Sequence, residues 1–368
     1  MPPNGADCGD AAWVAEAREA LAAHDARLTQ GFDAGQHIDR LLAARANAVD
    51  GWVRKAWARC IPGDAALALF AVGGYGRGEL FPHSDIDLLV IGASGVQTEH
   101  ADALSRMLAL LWDLGLPVGH AVRSFEECTQ AAGDVTVLTA LLEARPLLAN
   151  LAEVRALMDA IGVAKVWPAA DFFQAKRREL EVRHARFGDT ADNLEPNIKD
   201  GPGGLRDVQN LRWMARRVLG VYGTEELIAL GQLGVDEHAT LERERRTLSR
   251  LRFGLHLVAG KAEERLRFDH QKTLAARLHH VDEADNPLVE KMMQEFYRSA
   301  SVVQRISERM LQRFEEQIEG EGELIPIDAE FATRRGYLVA RDDVWPGGDL
   351  ARVFDLFAVW ADHASLRG

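Results

Sequence analysis

The stretch FAVGGYGRGELFPHSDIDLLVI, residues 70–91, constrains this chain more than any other. The apolar run LALFAV (67–72) ends in Gly73-Gly74, as a buried strand feeding a tight turn does. DIDLLVI (85–91) is rich in branched aliphatics and predicts a second strand. Side chains at i and i+2 share one face of a strand, so Asp85 and Asp87 are expected to project together beside the glycine turn. The two glycines let the backbone approach a ligand without obstruction. A helix starting just after them would offer free N–H groups to an anion. Paired carboxylates beside a phosphate cradle suit Mg²⁺, which binds through one or two carboxylates plus substrate phosphates. A pair of such ions can activate the attacking oxygen and neutralise the leaving one. Arg77 brings a planar fork for phosphate oxygens, and Ser84 a hydroxyl for a terminal phosphate. A lone Gly-Gly is usually only a turn, and a lone Asp-x-Asp is often a solvated strand end. The ordered succession of strand, glycine turn, charged residue, serine and paired aspartates is what favours the functional reading.

The rest of the composition bounds the function. The 368 residues suggest two or three domains. A hydrophobic share of 47% with 27% charged residues is that of a globular protein and not a disordered one. Forty-three basic against 56 acidic residues give a net charge of -13, which disfavours a nucleic acid as main partner. Cys8, Cys60 and Cys128 are odd in number and widely spaced, so neither a disulfide framework nor a CxxC metal knuckle is available. The opening MPPNGADCGDAAW has no secretory pattern, and no apolar run is long enough to cross a bilayer. A cytoplasmic, acidic, mostly helical protein without a membrane partner is expected.

Residues 11–60 read as helices, with Trp13, Leu21, Leu28, Ile38, Leu41 and Leu42 at helical spacing and Trp52 and Trp57 in a second segment. Residues 98–114 predict an amphipathic helix with Leu104, Met107, Leu108, Leu111 and Trp112 on its apolar side. LPVGHAVRS (116–124) predicts a third strand. From about 134 the helical period dominates, with helices expected near 171–187, 207–219, 236–259 and 286–316. NLEPNIKDGPGGLRD (193–207) interrupts them, and 324–368 is mixed, with GYLVARDDVWPGG reading as a loop. No repeat or low-complexity tract is present.

Several charged clusters invite chemistry. In NLEPNIKDGPGGLRD, Pro196 and Pro202 fix φ while Gly201, Gly203 and Gly204 permit close approach. Lys199 and Arg206 would then meet nucleotide phosphates or an acidic partner surface. The equal alternative is a structural turn with Asp207 as a cap. His279-His280 reads as a helix end, because adjacent side chains on a helix diverge. Lys176-Arg177-Arg178 is followed closely by Glu179 and Glu181, and Arg243, Arg245 and Arg246 are interleaved with Glu242 and Glu244, so both read as solvated helix faces.

Taken together, GGYGRGELFPHSDIDLLV, VGHAVRSFEEC, TALLEAR, NLEPNIKDGPGGLRDVQNLRW and LRFGLHLVAGKAEERLRFDHQ resemble the bifunctional uridylyltransferase/uridylyl-removing enzymes of bacterial nitrogen sensing, within the nucleotidyltransferase superfamily. The resemblance runs from about residue 20 to 365. It implies an α+β chain with a small polymerase-beta-like α/β catalytic domain (61–150) and a helical N-terminal extension (1–60). A helical bundle domain (151–320) and a linker (321–368) toward an absent HD domain would follow. It implies UMP transfer from UTP to a tyrosine hydroxyl of the signalling protein PII, with pyrophosphate released. Gly73 and Gly74 would hold the triphosphate, Asp85 and Asp87 would bind Mg²⁺, and Arg77 and Ser84 would assist.

A third carboxylate is common in the superfamily on a neighbouring strand, where VGHAVRS offers His120. Asp134 and Glu143 lie just downstream. Helix N-cap or helix-surface charge is the favoured reading for both, with Asp134 kept as the candidate third metal ligand. Complete relatives add an HD phosphohydrolase domain and two glutamine-sensing ACT domains. The only His-Asp doublet here, His24-Asp25, reads as a helix-surface pair, so this chain is expected to hold the transferase half of a longer enzyme. Adenylyl transfer to another protein, RNA nucleotidyl transfer, and a silent PII- or nucleotide-binding fragment are the alternatives.

Overall fold

A computed structural model describes residues 5–187, 193–281, 285–320, 322–342, 345–349, 351–363 and 366, with side chains from residue 9 onward. It divides into two compact units, 1–310 and 311–368.

The first unit opens with helices α1 (Gly5–Asp33) and α2 (Ile38–Cys60). Their apolar stripes bury Ala17, Leu21, Ala46, Val49, Trp52, Val53 and Ala56 in one cluster with the strands that follow. Trp13 and Trp52 meet edge to face at 5.6 Å. Strand β1 (Leu67–Val72) is buried at all six positions, as a central strand covered on both faces must be. The single helical turn α3 (Gly73–Gly76) leads toward β2 (Ile86–Gly92). The short α4 (Val96–Glu99) and α5 (Ala101–Asp113) then cross to β3 (Val118–Arg123), which pairs with β2 in parallel. A parallel pair needs such a crossover.

Leu104, Met107, Leu108 and Leu111 of α5 are buried as their spacing predicts. Trp112 departs from that expectation: it is 50% exposed, with its ring edge against His120 and its Nε1 donating to the Val118 carbonyl. Helix α6 (Phe125–Ala131) starts at a capping box formed by Ser124 and Glu127. Helix α7 (Val135–Leu142) follows, and then β4 (Arg145–Leu148), a strand the sequence did not announce. The sheet order is β3-β2-β1-β4, with β1 antiparallel to both β2 and β4.

Helices α8 (Leu151–Ala160), α9 (Ala169–Ala185) and α10 (Leu205–Met214) come next, α10 running into a π-helical turn at Ala215–Leu219. Then follow α11 (Thr224–Ala229), α12 (Val235–Ala259), α13 (Phe268–His279) and α14 (Asn286–Glu319), whose last residues belong to the second unit. Gly254 lets α12 approach its neighbours: a Cβ there would lie 2.7 Å from Leu274 and 2.9 Å from Phe32. Phe32 of α1 stacks on Phe253 at 5.2 Å, and Asp39 of α2 accepts from Arg245 at 2.8 Å. The N-terminal helices therefore pack on the sheet and on α12 alike.

The charged runs are not all solvated. Lys176 is 1% exposed, its Nζ 2.6 Å from Glu179 and 4.6 Å from the centre of the Trp213 ring. Glu242, Glu244 and Arg245 are also buried, while Arg178 and Arg243 are exposed as expected. His279-His280 closes α13, with His280 in a left-handed cap. Asp25 on α1 accepts from Arg45.

The second unit contains a three-stranded antiparallel sheet of β5 (Leu324–Pro326), β6 (Phe331–Arg334) and β7 (Tyr337–Ala340), then α15 (Arg352–Asp362). This corrects the loop reading of GYLVARDDVWPGG, whose first half is β7; Asp343 and Val344 lie outside the described residues. Cys60 and Cys128 are free thiols, and burial pushes both above the ordinary thiol value. Among the described residues, no helix is long and apolar enough to cross a membrane.

Candidate active site

The turn after β1 is held from behind. Tyr75, fully buried, donates to Asp50 Oδ1 at 2.6 Å. Arg145 at the start of β4 donates to both Asp50 oxygens, at 2.7 and 3.1 Å, and to the Tyr75 carbonyl at 3.2 Å. Burial and the adjacent Asp50 carboxylate push the Tyr75 phenol far above its ordinary value, so it stays a neutral donor. Helix α2, the glycine turn and β4 are thereby fixed to one another. Gly76 is needed for this closeness, since a Cβ would fall 2.2 Å from the Glu143 carbonyl.

The turn opens on a cleft of about 250 Å³. Gly73, Gly74, Arg77, Ser84, Asp85 and Asp87 all line it, and so do Lys199 and Arg206. Asp85 is exposed and Asp87 half-buried at the edge of β2. Burial and then the Asp85 charge push the Asp87 carboxyl above the usual carboxylate range, while Lys199 pulls it back. Among the described residues, neither carboxylate receives a hydrogen bond. In register, Asp87 pairs with Val72 of β1 and Gly119 of β3.

Arg77 sits differently from its expected role. Its Nε donates to Glu79 at 2.8 Å and its Nη1 to both Glu143 oxygens at 2.7 Å. Burial works against its charge, but the two carboxylates raise its pKa further. Nη2 faces Gly74, 3.5 Å from where a Cβ would stand. Glu143 also accepts from Trp213 Nε1 at 2.6 Å. It is thus the anchor of Arg77 and Trp213.

Asp134 is not brought to the cleft. It is the N-cap of α7, its Oδ1 accepting from the backbone N–H of Thr136 and Val137 at 2.7 and 3.4 Å. The third-ligand assignment is corrected to a cap, the residue type that best satisfies free N–H groups at a helix start. His120 lies one register position from Gly119, on the sheet face opposite Asp87. Among the described residues, no cluster of three or more acidic, histidine or cysteine side chains is arranged to hold a metal.

The 193–207 loop proves to be both a turn and a wall of the cleft. Asn197 Oδ1 accepts from Lys199 and Asp200 N–H groups, at 3.0 and 2.7 Å. Buried Asp207 accepts from Gly203 N–H at 2.7 Å and from Arg183 at 2.6 Å, with His184 Nε2 at 3.1 Å. Burial opposes the Asp207 charge, but His184 and Arg183 together hold its carboxyl below the usual range. The N-cap of α10 is Gly204, so Asp207 ties the loop to α9 and is not the cap. Gly203, at φ +70°, packs against α14: a Cβ there would strike the Ala300 carbonyl. This scaffold delivers Lys199 and Arg206. Lys199 lies 3.9 Å from Glu264, and burial followed by Arg252 lowers its pKa.

Sequence reasoning missed several wall residues. Arg252 donates to Glu264 at 2.7 Å, and both line the cleft with Thr136, Thr139, Gln209 and Trp213. Apart from Thr136, their only signal lay in the segments TALLEAR, VQNLRW and LRFGLHLVAGKAEERLRFDHQ.

Comparison with known proteins agrees with this geometry. Residues 53–146 match the nucleotidyltransferase domain, and residues 171–311 match GlnD PII-uridylyltransferase. The chain is 60% identical over 366 residues to the bifunctional uridylyltransferase/uridylyl-removing enzyme of Xanthomonas campestris pv. campestris strain B100, covering 100% of this chain and 42% of that protein. The same enzyme of Xanthomonas axonopodis pv. citri is 59% identical. That of Pseudomonas putida strain F1 is 40% identical over 347 residues, 93% of this chain and 38% of the relative. The chain thus spans less than half the length of these relatives. The segment that matches the nucleotidyltransferase domain supplies the glycine turn, Asp85, Asp87 and Glu143 to the cleft. The segment that matches GlnD PII-uridylyltransferase supplies Lys199, Arg206, Trp213, Arg252 and Glu264.

Nucleotidyltransferase domains generally use divalent metal ions. The residues here fit one. Asp85 and Asp87 are hard oxygen donors with no hydrogen bond to compete among the described residues, and the missing side chains of Gly73 and Gly119 leave the Asp87 oxygens room.

Proposed function

We propose that this chain transfers UMP from UTP to a tyrosine hydroxyl of PII, releasing pyrophosphate. The single observation that carries the reading is the convergence, in one cleft, of the glycine turn, the Asp85/Asp87 pair and the cations Lys199, Arg206 and Arg252. The identity to uridylyltransferases over the whole chain supports the choice of UTP and PII. Residues 61–150 are read as a polymerase-beta-like catalytic domain, 1–60 as its helical extension, and 151–320 as a helical bundle. Residues 321–368 lead toward further domains in the longer protein, which would remove UMP and sense glutamine. The cytoplasm is where UTP is available, and the free thiols suit it.

Gly73 and Gly74 let the triphosphate lie against backbone, and Ser84 donates to a terminal phosphate. Asp85 and Asp87 would hold Mg²⁺, which when bound polarises the phosphate oxygens and lowers the cost of charge on the attacking and leaving oxygens. Lys199, Arg206 and Arg252 face the triphosphate and the charge that grows on departing pyrophosphate, and such preorganised cations are worth more as that charge develops. Arg77 is held by two carboxylates and offers Nη2 alone to the triphosphate. The attacking oxygen belongs to the acceptor tyrosine, so no internal nucleophile is required. Its bond to the α-phosphorus forms as the bond to pyrophosphate breaks, and the hydroxyl proton is released to solvent.

The test is pyrophosphate release in mixtures of the chain with UTP, Mg²⁺ and PII. Release is expected only when all are present. Equal release without PII, or with ATP in place of UTP, would contradict the reading.

A further inference from the structure

We infer that Gly119 on β3 is a positioning residue for Asp87, and that the chain leaves this position without a side chain in order to seat that carboxylate. The inference rests on the metal-binding role of Asp87 in the proposed function. Asp87 and Gly119 are register partners on neighbouring parallel strands, so their side-chain positions lie on the same face of the sheet. A Cβ built at Gly119 would stand 2.7 Å from Asp87 Oδ1. Apart from the Asp87 carboxylate, it would meet no described heavy atom within 4 Å. Gly73, on the other side, repeats the pattern: a Cβ there would stand 3.1 Å from Asp87 Oδ2, again with the Asp87 carboxylate as its only neighbour.

One oxygen therefore rests against each glycine. Gly73 also has φ +58°, a reason of its own to be glycine. Gly119 has no such reason, because it lies within an extended strand with no positive φ. A glycine inside a strand weakens it and often marks close approach of another group; here the approaching group is the Asp87 carboxylate. No hydrogen bond fixes that carboxylate among the described residues, so its orientation depends on the space that the two glycines leave open. A methyl group at 119 would be accommodated by turning the Asp87 side chain, at little cost to the fold. The turn would displace an oxygen within the cleft that Asp87 lines together with Asp85.

The experiment compares the full chain with Gly119→Ala, using Mn²⁺ as the probe cation. Mn²⁺ binding in the presence of UTP is followed by electron paramagnetic resonance, and thermal unfolding is recorded in EDTA. Gly119→Ala is expected to unfold close to the parent and to bind Mn²⁺ about 10–100-fold more weakly, the usual effect of disturbing what orients a metal ligand. Parent-like Mn²⁺ affinity in Gly119→Ala would overturn the inference while leaving the proposed function intact. Failure of the parent itself to bind Mn²⁺ with UTP would instead remove the metal reading, and the inference with it. Should Gly119→Ala fail to fold, the double variant Asp87→Ala/Gly119→Ala decides. Recovery of folding shows that the methyl group meets Asp87, and continued failure shows that it meets something else and overturns the inference.

Discussion

Arg77 Nη1 lies 2.7 Å from both carboxylate oxygens of Glu143, joining the turn after β1 to the end of α7. Glu143 also holds Trp213 on α10, and Glu79 passes the same network to Arg212 at 2.9 Å. A carboxylate that the superfamily resemblance offered as a substitute third metal ligand is thus engaged in fixing the shape of the cleft. Glu143→Gln is expected to lower stability by about 1–3 kcal/mol, the range for losing a charged partner in a partly buried network. It should lower transfer by at least about tenfold, since small displacements of reacting groups cost that much. Denaturant unfolding and steady-state kinetics on the same variant check both. Unchanged kinetics would show that Glu143 only stabilises the fold.

Asp207 makes a second prediction. It is 1% exposed and gathers Arg183, His184 and the Gly203 N–H. Removing one partner of a buried charge network costs about 3–5 kcal/mol. Asp207→Ala is therefore expected to be strongly destabilised. In the protein that still folds, the KM for UTP should rise, because the loop carrying Lys199 and Arg206 loses its tether. An unaltered KM would detach the loop from substrate binding.

A third prediction concerns pH. His256 is fully buried, and among the described residues neither ring nitrogen has a hydrogen-bond partner. Burial and then Arg252 lower its pKa to about 3 from the ordinary 6.5; Glu264 acts in the opposite sense, and His83 and Lys199 add to the lowering. The folded chain thus refuses a proton that the unfolded chain accepts below 6.5. Stability is full above that pH and falls as the pH drops from 6.5 toward 3, by at most about 1.4 kcal/mol per pH unit. His83, also lowered by burial and then by Arg45, adds to the same trend. The difference in unfolding free energy between pH 7 and pH 5 should shrink in His256→Leu. An identical pH slope in that variant would assign the effect elsewhere.

The core of the site was legible because its signals are local. A six-residue apolar run, a glycine pair and an i, i+2 aspartate pair determine β1, the turn and the edge of β2 without distant partners. Strand β4 escaped because Arg145–Leu148 is only four residues long and begins Arg-Pro. Strand β7 escaped for a similar reason, four residues between Gly336 and Arg341. Lys176 and Arg245 read as solvated because their charges were visible, while what buries them was not. Trp213 lies 37 positions from Lys176, and Asp39 lies 206 from Arg245. Asp134 shows the reverse case, a local cap outweighing a borrowed ligand role. The loop reading makes Lys199 and Arg206 cations for nucleotide phosphates or an acidic partner surface, without placing them beside Asp87. Spacing within 193–207 describes a tight loop but says nothing of what it faces.

The most direct test of uridylyl transfer at this cleft is intact-mass spectrometry of PII after incubation with UTP and Mg²⁺, comparing the parent chain with Asp87→Asn. The variant keeps the side-chain volume and removes a charge that burial and Asp85 both disfavour, so it should fold as well as the parent. The expected result is one added UMP on each PII subunit with the parent. Transfer should fall by at least about 100-fold with Asp87→Asn, as expected when several kcal/mol of metal-derived stabilisation are lost. Equal modification by both chains would contradict the assignment of the site, and no modification by the parent would contradict the assignment of the function.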